Sequence, residues 1–289
     1  MQTTSELLDL IELKQLSETV FQGTSNFMGS PNVFGGQVVA QALNAATRTV
    51  PAERICHSLH CYFILPGNLS LPIMYHVMEI RDGGSFTTRF IQAKQNDVPI
   101  FVMAASFQKK EEGFFHQVPM PEGVPLPEEL SQWIHVDENT HPQIAGLMKA
   151  YLNIARPLEM RSCQPEIKQG EEASPYTRVW FKFKEVPAAL EWRTVQQLIA
   201  YASDYNVLST ALRPHTKNAN ILNTQLASLD HAIWFHQEVD LSDWLLFDLV
   251  SPIASGARGL TTGHIFTRDG RLVATVSQEG LMRPRTKQP

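Results

Sequence analysis

Polar side chains occur at a few places where the pattern of the chain predicts apolar residues. Asp204 interrupts the mostly apolar run of residues 195–212. Ser228 interrupts one β-rich run, and Gln278 ends another. An ionised carboxylate is costly to bury unless it is paired or has a function, and a glutamine amide can both donate and accept hydrogen bonds. Hydrogen bonding and proton transfer are the chemistry that such groups support, so these residues are the first functional candidates.

Each candidate also fits a structural role. Asp204 would be unremarkable on a solvated helix stripe beside Ser203, or as the cap of a following turn. Ser228 and Asp230 are two residues apart, so strand alternation predicts that they share one face of the sheet. Ser228 and Gln278 would then simply point outward. The residue types alone leave both interpretations open.

Histidines and cysteines form a second group of candidates. His57 and His60 flank two residues of a β-rich run and lie next to Cys56 and Cys61. A neutral histidine that packs and bonds to a carbonyl group is the commoner state, and the sequence shows no charged partner for a thiolate. We therefore rank these side chains below Asp204.

Several known catalytic motifs do not occur in the sequence. It has no Gly-x-Ser-x-Gly, no Gly-x-x-x-x-Gly-Lys-Ser/Thr and no Gly-x-Gly-x-x-Gly, which disfavours serine α/β-hydrolases, nucleotide hydrolysis and dinucleotide redox chemistry. The ten histidines are scattered, without His-Glu-x-x-His or paired Cys-x-x-Cys. We therefore expect no cofactor and no metal.

Composition points to an ordinary globular protein. The 289 residues are 43% hydrophobic and 18% charged, with a formal net charge of -5 and no basic block to neutralise phosphates, so we expect no nucleic-acid partner. The three cysteines are too few for a disulfide framework, which favours a reducing compartment. No run of about 18 apolar residues predicts a membrane span, and the acidic residues of the N-terminal stretch do not resemble a signal peptide. We expect a cytoplasmic protein.

The elements that must position the candidates fall into two similar halves. In each half a long apolar helix, over residues 35–46 and 195–212, comes before a series of β-rich runs. An Asp before the last run of each half, Asp97 and Asp269, recurs after 172 residues, which indicates a duplication. The predicted strands are residues 57–65, 73–80, 86–95 and 100–108 in the first half, and 177–184, 225–236, 244–250, 259–268 and 272–278 in the second.

A proline-rich stretch separates the halves. Five prolines occur within residues 112–150, which predicts a surface linker with a short helix near 144–152. We expect an N-terminal unit over 1–111, a linker over 112–170 and a C-terminal unit over 171–289 that carries the candidates.

A helix that is apolar nearly all round needs a sheet that wraps it. The layout of each half is that of a hotdog fold, so the predicted class is α+β: two tandem units, each with a long antiparallel sheet around a central helix. Joined edge to edge, the sheets would also lose two exposed edges. The alternative is a pair of separate α+β domains on a flexible linker.

Six segments in the same order resemble the acyl-CoA thioesterase II family, which has a double hotdog fold. They cover nearly the whole chain except the linker. The segments are residues 33–43 (VFGGQVVAQAL), 57–63 (HSLHCYF), 81–86 (RDGGSF), 99–108 (PIFVMAASFQ), 229–236 (LDHAIWFH) and 278–282 (QEGLM).

The resemblance implies an acyl-CoA hydrolase with Asp204, Ser228 and Gln278 grouped around a water. Ser228 stands where the family more often has Thr, which keeps the hydroxyl but loses the methyl that restricts χ1. In this interpretation Asp204 deprotonates the water, the other two orient it, and no covalent acyl-enzyme forms. Backbone N–H groups near Gly35 and Gly36 are candidate oxyanion donors.

The resemblance also leads us to expect that Gly35, Gly36 and His57 contribute to substrate binding, and that the protein is a homo-oligomer, a dimer or a tetramer. Two alternatives stay open. A hotdog hydratase or dehydratase would pair a carboxylate with His57 or His60, and a non-catalytic acyl-CoA-binding protein would bind without turnover.

Overall fold

The computed structural model describes residues 1–131, 142–164, 173–220 and 222–285. The α-helices there are α1 (Thr4–Ile11), α2 (Gly35–Thr47), α3 (Pro142–Leu152), α4 (Trp192–Ala202) and α5 (Val207–Leu212). The strands there are β1 (Lys14–Gln15), β2 (Val20–Gly23), β3 (Arg54–Phe63), β4 (Ile73–Asp82), β5 (Phe86–Gln95), β6 (Val98–Lys109), β7 (Leu158–Ser162), β8 (Tyr176–Phe183), β9 (Thr224–Ser228), β10 (Asp230–Phe235), β11 (Leu245–Ser255), β12 (Arg258–Thr267) and β13 (Leu272–Pro284).

One antiparallel sheet contains all thirteen of these strands. Its order is β1-β2-β4-β5-β6-β3-β10-β13-β12-β11-β8-β7, and β9 also pairs with β13. The first six strands of this order come from the first half of the chain and the rest from the second. The halves meet where β3 pairs with β10, with Leu59 opposite Ile233. The predicted edge-to-edge joining of two sheets is thus present.

The sheet wraps the helices because strand alternation gives it one apolar face. On β5, for example, Ile91 and Ala93 are fully buried between partly exposed neighbours. Every residue of α2 from Gly36 to Thr47 is buried, and α2 packs against β2 to β6 and against α4. Each large apolar side chain that is fully buried in such a core stabilises the folded state by about 1.5 to 3 kcal/mol relative to an exposed side chain.

Polar contacts also join the two central helices. The side-chain amide of Asn44 on α2 donates to Oε1 of Gln197 on α4 at 3.2 Å. Gln196 on α4 donates to the backbone oxygen of Cys56 on β3. These bonds link the two halves through their interiors, so α4 is held against both α2 and β3.

The stretch 112–170 contains more structure than a linker. A helix near 144–152 is present as α3. In addition, β7 alternates buried and partly exposed residues and pairs with β8, with Met160 opposite Phe181. The second half of the sheet therefore begins before residue 171. Residues 132–141 and 165–170 of this stretch lie outside the described residues.

Within the described ranges, no helix combines the length and the apolar character that crossing a membrane would require.

Candidate active site

Asp204 lies in a break between two helices. α4 ends at Ala202, α5 begins at Val207, and Asn206 between them has a left-handed backbone with φ of 65°. The prediction of one continuous helix over 195–212 is therefore wrong. Ser, Asp and Asn side chains compete with a helix for backbone hydrogen bonds, and Asn tolerates positive φ, so this polar segment ends α4. The break presents the carboxylate at the end of the helix.

The start of α2 holds this carboxylate. The backbone N–H of Gly36 donates to Oδ2 of Asp204 at 2.8 Å. A Cβ on Gly35 would lie 2.7 Å from the same oxygen, and a Cβ on Gly36 would lie 2.4 Å from the backbone oxygen of Tyr201. Since real Cβ atoms do not come this close, the approach of α2 to Asp204 requires both glycines.

The surroundings of Asp204 make it a titratable group near neutral pH. Burial raises the pKa of its carboxyl to about 7, although the N–H of Gly36 and the amide of Gln278 act in the opposite direction by stabilising the anion. The side chain keeps a partly accessible surface. A base with a pKa near the working pH is well suited to proton transfer.

The amide of Gln278 lies beside both Ser228 and Asp204. Gln278 lies on β13 and is 1% exposed. Its Nε2 donates to Oγ of Ser228 at 2.8 Å, and its amide is close enough to Asp204 to lower the pKa of that carboxyl. Ser228 ends β9 and is half-buried. The three predicted site residues therefore lie in one connected polar cluster.

A β-bulge between β9 and β10 brings Ser228 into this cluster. Gly280 lies opposite Ser228 and Ser277 lies opposite Ala232, so three residues on one strand span two on β13. The extra residue reverses the alternation, and the prediction that Ser228 and Asp230 share a face is wrong for that reason. Asp230 instead accepts the backbone N–H of the residue after Gln278.

His231 extends the cluster and was not among the predicted residues. It is 1% exposed, its Nδ1 bonds to Oε1 of Gln278, and its Nε2 lies 2.9 Å from Oγ of Ser203. Burial lowers the pKa of its ring to about 4, so the ring is neutral at pH 7. Without the bulge, alternation would place His231 and Ser228 on opposite faces, so no local pattern predicts that they lie in one cluster.

Gly36 has a different partner from the one expected. Its N–H was a candidate oxyanion donor, but in the structure it is bonded to Asp204. Gly35 lies against the same carboxylate and against the ring of Phe63, which a Cβ would approach to 2.9 Å. Both glycines are thus at the site, in contact with the candidate base.

His57 faces away from this cluster. Its Nε2 lies 2.8 Å from Oγ of Ser106, and its ring packs edge-on against Phe86. The neighbours of Ser106 on β6, Ala105 and Phe107, are buried, so Ser106 and its partner lie on the outer face of the sheet. A register shift at His57 turns its side chain outward. The structure gives no support to the predicted contact of His57 with substrate.

Comparison with known proteins identifies the family of the chain. A family model described as acyl-CoA thioesterase matches residues 152–281, and a model described as acyl-CoA thioesterase N-terminal domain matches residues 24–108. Acyl-CoA thioesterase 2 of Haemophilus influenzae is 40% identical, over 96% of this chain and 97% of its own. The chain belongs to the acyl-CoA thioesterase family.

Further relatives of this acyl-CoA thioesterase agree. Human acyl-coenzyme A thioesterase 8 is 34% identical over 95% of this chain and 88% of its own. The crystal structure of acyl-CoA thioesterase II TesB2 from Mycobacterium marinum matches with a TM-score of 0.80 and 34% identity, covering 98% of this chain and 100% of that one. A hot dog protein from Alicyclobacillus acidocaldarius, 18% identical with a TM-score of 0.75, shares the fold. The predicted double hotdog fold and the resemblance to acyl-CoA thioesterase II are confirmed.

Membership of the acyl-CoA thioesterase family makes this protein a thioester hydrolase that acts on acyl-CoA. It also removes the two alternatives left open by the sequence, the hydratase or dehydratase and the non-catalytic binding protein.

Proposed function

We propose that this thioesterase hydrolyses fatty acyl-CoA to free fatty acid and CoA by direct attack of a water held by Asp204, Ser228 and Gln278. The observation that carries the proposal is the position of the Gln278 amide, which donates to Ser228 at 2.8 Å and lies close enough to Asp204 to lower the pKa of its carboxyl. A partly accessible carboxylate, a partly accessible hydroxyl and a buried amide thus lie close together.

The roles follow from the chemistry of the groups. A thioester carbonyl is electrophilic and its thiolate leaves readily, so the enzyme must mainly position and deprotonate water. Asp204 accepts the proton of the attacking water, which contributes roughly 10² to 10⁴ in rate for a well-placed base. Ser228 and Gln278 orient the water, because each has hydrogen-bonding capacity beyond the bond that joins them.

Replacing the base tests the proposal. Asp204→Asn keeps the size of the side chain and removes its basicity, so thiol release from hexanoyl-CoA or palmitoyl-CoA should fall at least about a hundredfold. Asp230→Asn is the matched control, since Asp230 is a nearby partly buried carboxylate that bonds only to backbone among its described hydrogen bonds. Near-normal turnover of the Asp204 variant would overturn the assignment.

The absence of a covalent intermediate has its own test. Enzyme quenched in acid during steady-state turnover of palmitoyl-CoA should have its unmodified mass. An increase equal to one acyl group would replace direct water attack with nucleophilic catalysis.

We also propose that the chain is a duplication, with hotdog units over 1–111 and 171–289 and a connection over 112–170 that supplies the edge strand β7. The catalytic residues lie in the second unit, while Gly36 of the first bonds to Asp204. Co-expressed halves, divided near residue 131, should therefore be active together and inactive alone. Activity of the second half alone would contradict this division of roles.

We propose, finally, a cytoplasmic homo-oligomer, a dimer or a tetramer. Cys56, Cys61 and Cys163 are free thiols, which suits a reducing compartment. Exposed apolar side chains such as Tyr62 and Ile64 are suited to contact with a second copy. Light scattering of the purified protein and fractionation of the source cells test these two points.

A further inference from the structure

A buried chain of hydrogen bonds lies behind the catalytic amide. It runs from Ser203 through His231 to Gln278 and on to Ser228. Ser203, His231 and Gln278 are each at most 1% exposed. Burying this many polar groups is costly unless each is satisfied, so the chain is a specific feature of the core.

The structure places Oε1 of the Gln278 amide toward His231 and Nε2 toward Ser228. This orientation suits an ionised Asp204, because the carboxylate accepts hydrogen bonds and cannot donate them, and the NH₂ group of Gln278 favours the anion. The amide oxygen then faces His231 and has no hydrogen to offer, which requires a hydrogen on Nδ1 of the ring. The neutral ring carries one hydrogen, so Nε2 accepts from the hydroxyl of Ser203, whose single hydrogen then points to the ring and not to the backbone oxygen of Ala200, 2.9 Å from the same Oγ.

We infer that His231 is a positioning residue for the hydrolysis proposed above: its Nδ1–H holds the oxygen of Gln278 and so turns the amide NH₂ toward Asp204 and Ser228. The oxygen and nitrogen ends of an amide are nearly equal in size, so packing alone discriminates poorly between the two orientations. With the bond to His231 removed, the amide can turn its oxygen toward the carboxylate of Asp204. The two oxygens then repel each other, and the site loses the N–H donor that would orient the water.

Two replacements of similar polarity separate this role from a merely structural one. In His231→Asn the side-chain nitrogen can occupy the place of Nδ1 and still donate to Gln278. In His231→Gln the amide reaches the place of Nε2, toward Ser203, and leaves the oxygen of Gln278 without its donor. The first variant should keep turnover close to that of the unchanged enzyme.

The second variant should lose about tenfold to a hundredfold in kcat, the usual effect of a small misplacement in an active site, with KM changed by less than about threefold. The acid limb of its pH–rate profile should move to higher pH, because the amide of Gln278 lowers the pKa of Asp204. The same replacements at His236, which is exposed and bonds to Thr275 at 2.9 Å, serve as controls without effect.

A folded His231→Gln with unchanged kcat and pH profile, or a His231→Asn as impaired as His231→Gln, would overturn the inference. Gln278→Met tells which idea has failed. If it is impaired while His231→Gln is normal, only the positioning role is wrong; if both are normal, the three-residue site is wrong as well. Nitrogen NMR of labelled histidine in the unchanged enzyme gives a test free of folding effects, since it must find the Nδ1–H tautomer at His231, and the Nε2–H tautomer contradicts the inference.

Discussion

The backbone N–H of Gly36 donates a 2.8 Å hydrogen bond to the carboxylate of Asp204, a residue 168 positions later in the chain. The bond favours the ionised carboxylate and fixes one of its oxygens, which counteracts part of the effect of burial. Although the candidate catalytic residues all lie in the second half of the sequence, the first half thus positions the proposed base.

Closing the space beside this bond should impair catalysis. In Gly35→Ala the new methyl group would lie 2.7 Å from Oδ2 of Asp204, so the carboxylate must move. Because displacements of about 1 Å can cost a hundredfold, we expect kcat/KM to fall by about tenfold to a hundredfold. Gly84→Ala is the control, since a Cβ there meets nothing within 4 Å. Equal activity of both variants would show that the carboxylate tolerates displacement.

Turnover should depend on pH through Asp204. With a pKa of about 7, the carboxyl is protonated in acid and inactive as a base, so kcat/KM should fall about tenfold per pH unit well below pH 7. Cys61 and Tyr201 interact electrostatically with Asp204. Burial raises the pKa of both side chains, so neither ionises in this pH range. A profile that stays flat down to pH 5 would contradict this prediction.

The same group should make stability depend on pH. A carboxyl whose pKa is near 3.8 in the unfolded chain and about 7 in the folded protein binds more protons when folded, so the free energy of unfolding decreases as pH rises from about 4 to about 7. Asp204→Asn removes this cost. In denaturant titrations, the free energy of unfolding of the Asn variant relative to that of the unchanged protein should increase by up to about 4 kcal/mol between pH 4 and pH 8. No change with pH would indicate a carboxyl with an ordinary pKa.

A pair of serines tests which face of the sheet carries the chemistry. Ser228→Ala removes the acceptor of the Gln278 amide and should lower kcat by about tenfold or more, while Ser228→Thr should stay active because it keeps the hydroxyl. Ser106→Ala removes the partner of His57 on the outer face and should leave turnover within about twofold. Loss of activity in the Ser106 variant would indicate that His57 takes part in substrate binding or catalysis.

Much of the architecture could be read from the sequence because it depends on local alternation. Apolar residues at every second position, Ile73, Tyr75 and Val77, marked β4, and an apolar run marked α2. The strand β7 was missed, although buried Leu158 and Met160 alternate with Glu159 and Arg161 in it, because the prolines upstream suggested a linker. The polar residues of the segment 203–206, Ser203, Asp204 and Asn206, also indicate that α4 ends there.

The fold class, the family and the polar residues that are out of place in an apolar pattern all follow from the sequence alone. Alternation cannot detect a single extra residue in a strand, and two such irregularities govern the site. The shift at His57 turns that side chain to the outer face, and the bulge after Ser228 brings Ser228 and His231 onto the inner one. Only the tertiary structure places Gly36 against Asp204, because that contact depends on how α2 and α4 pack together and not on any local pattern.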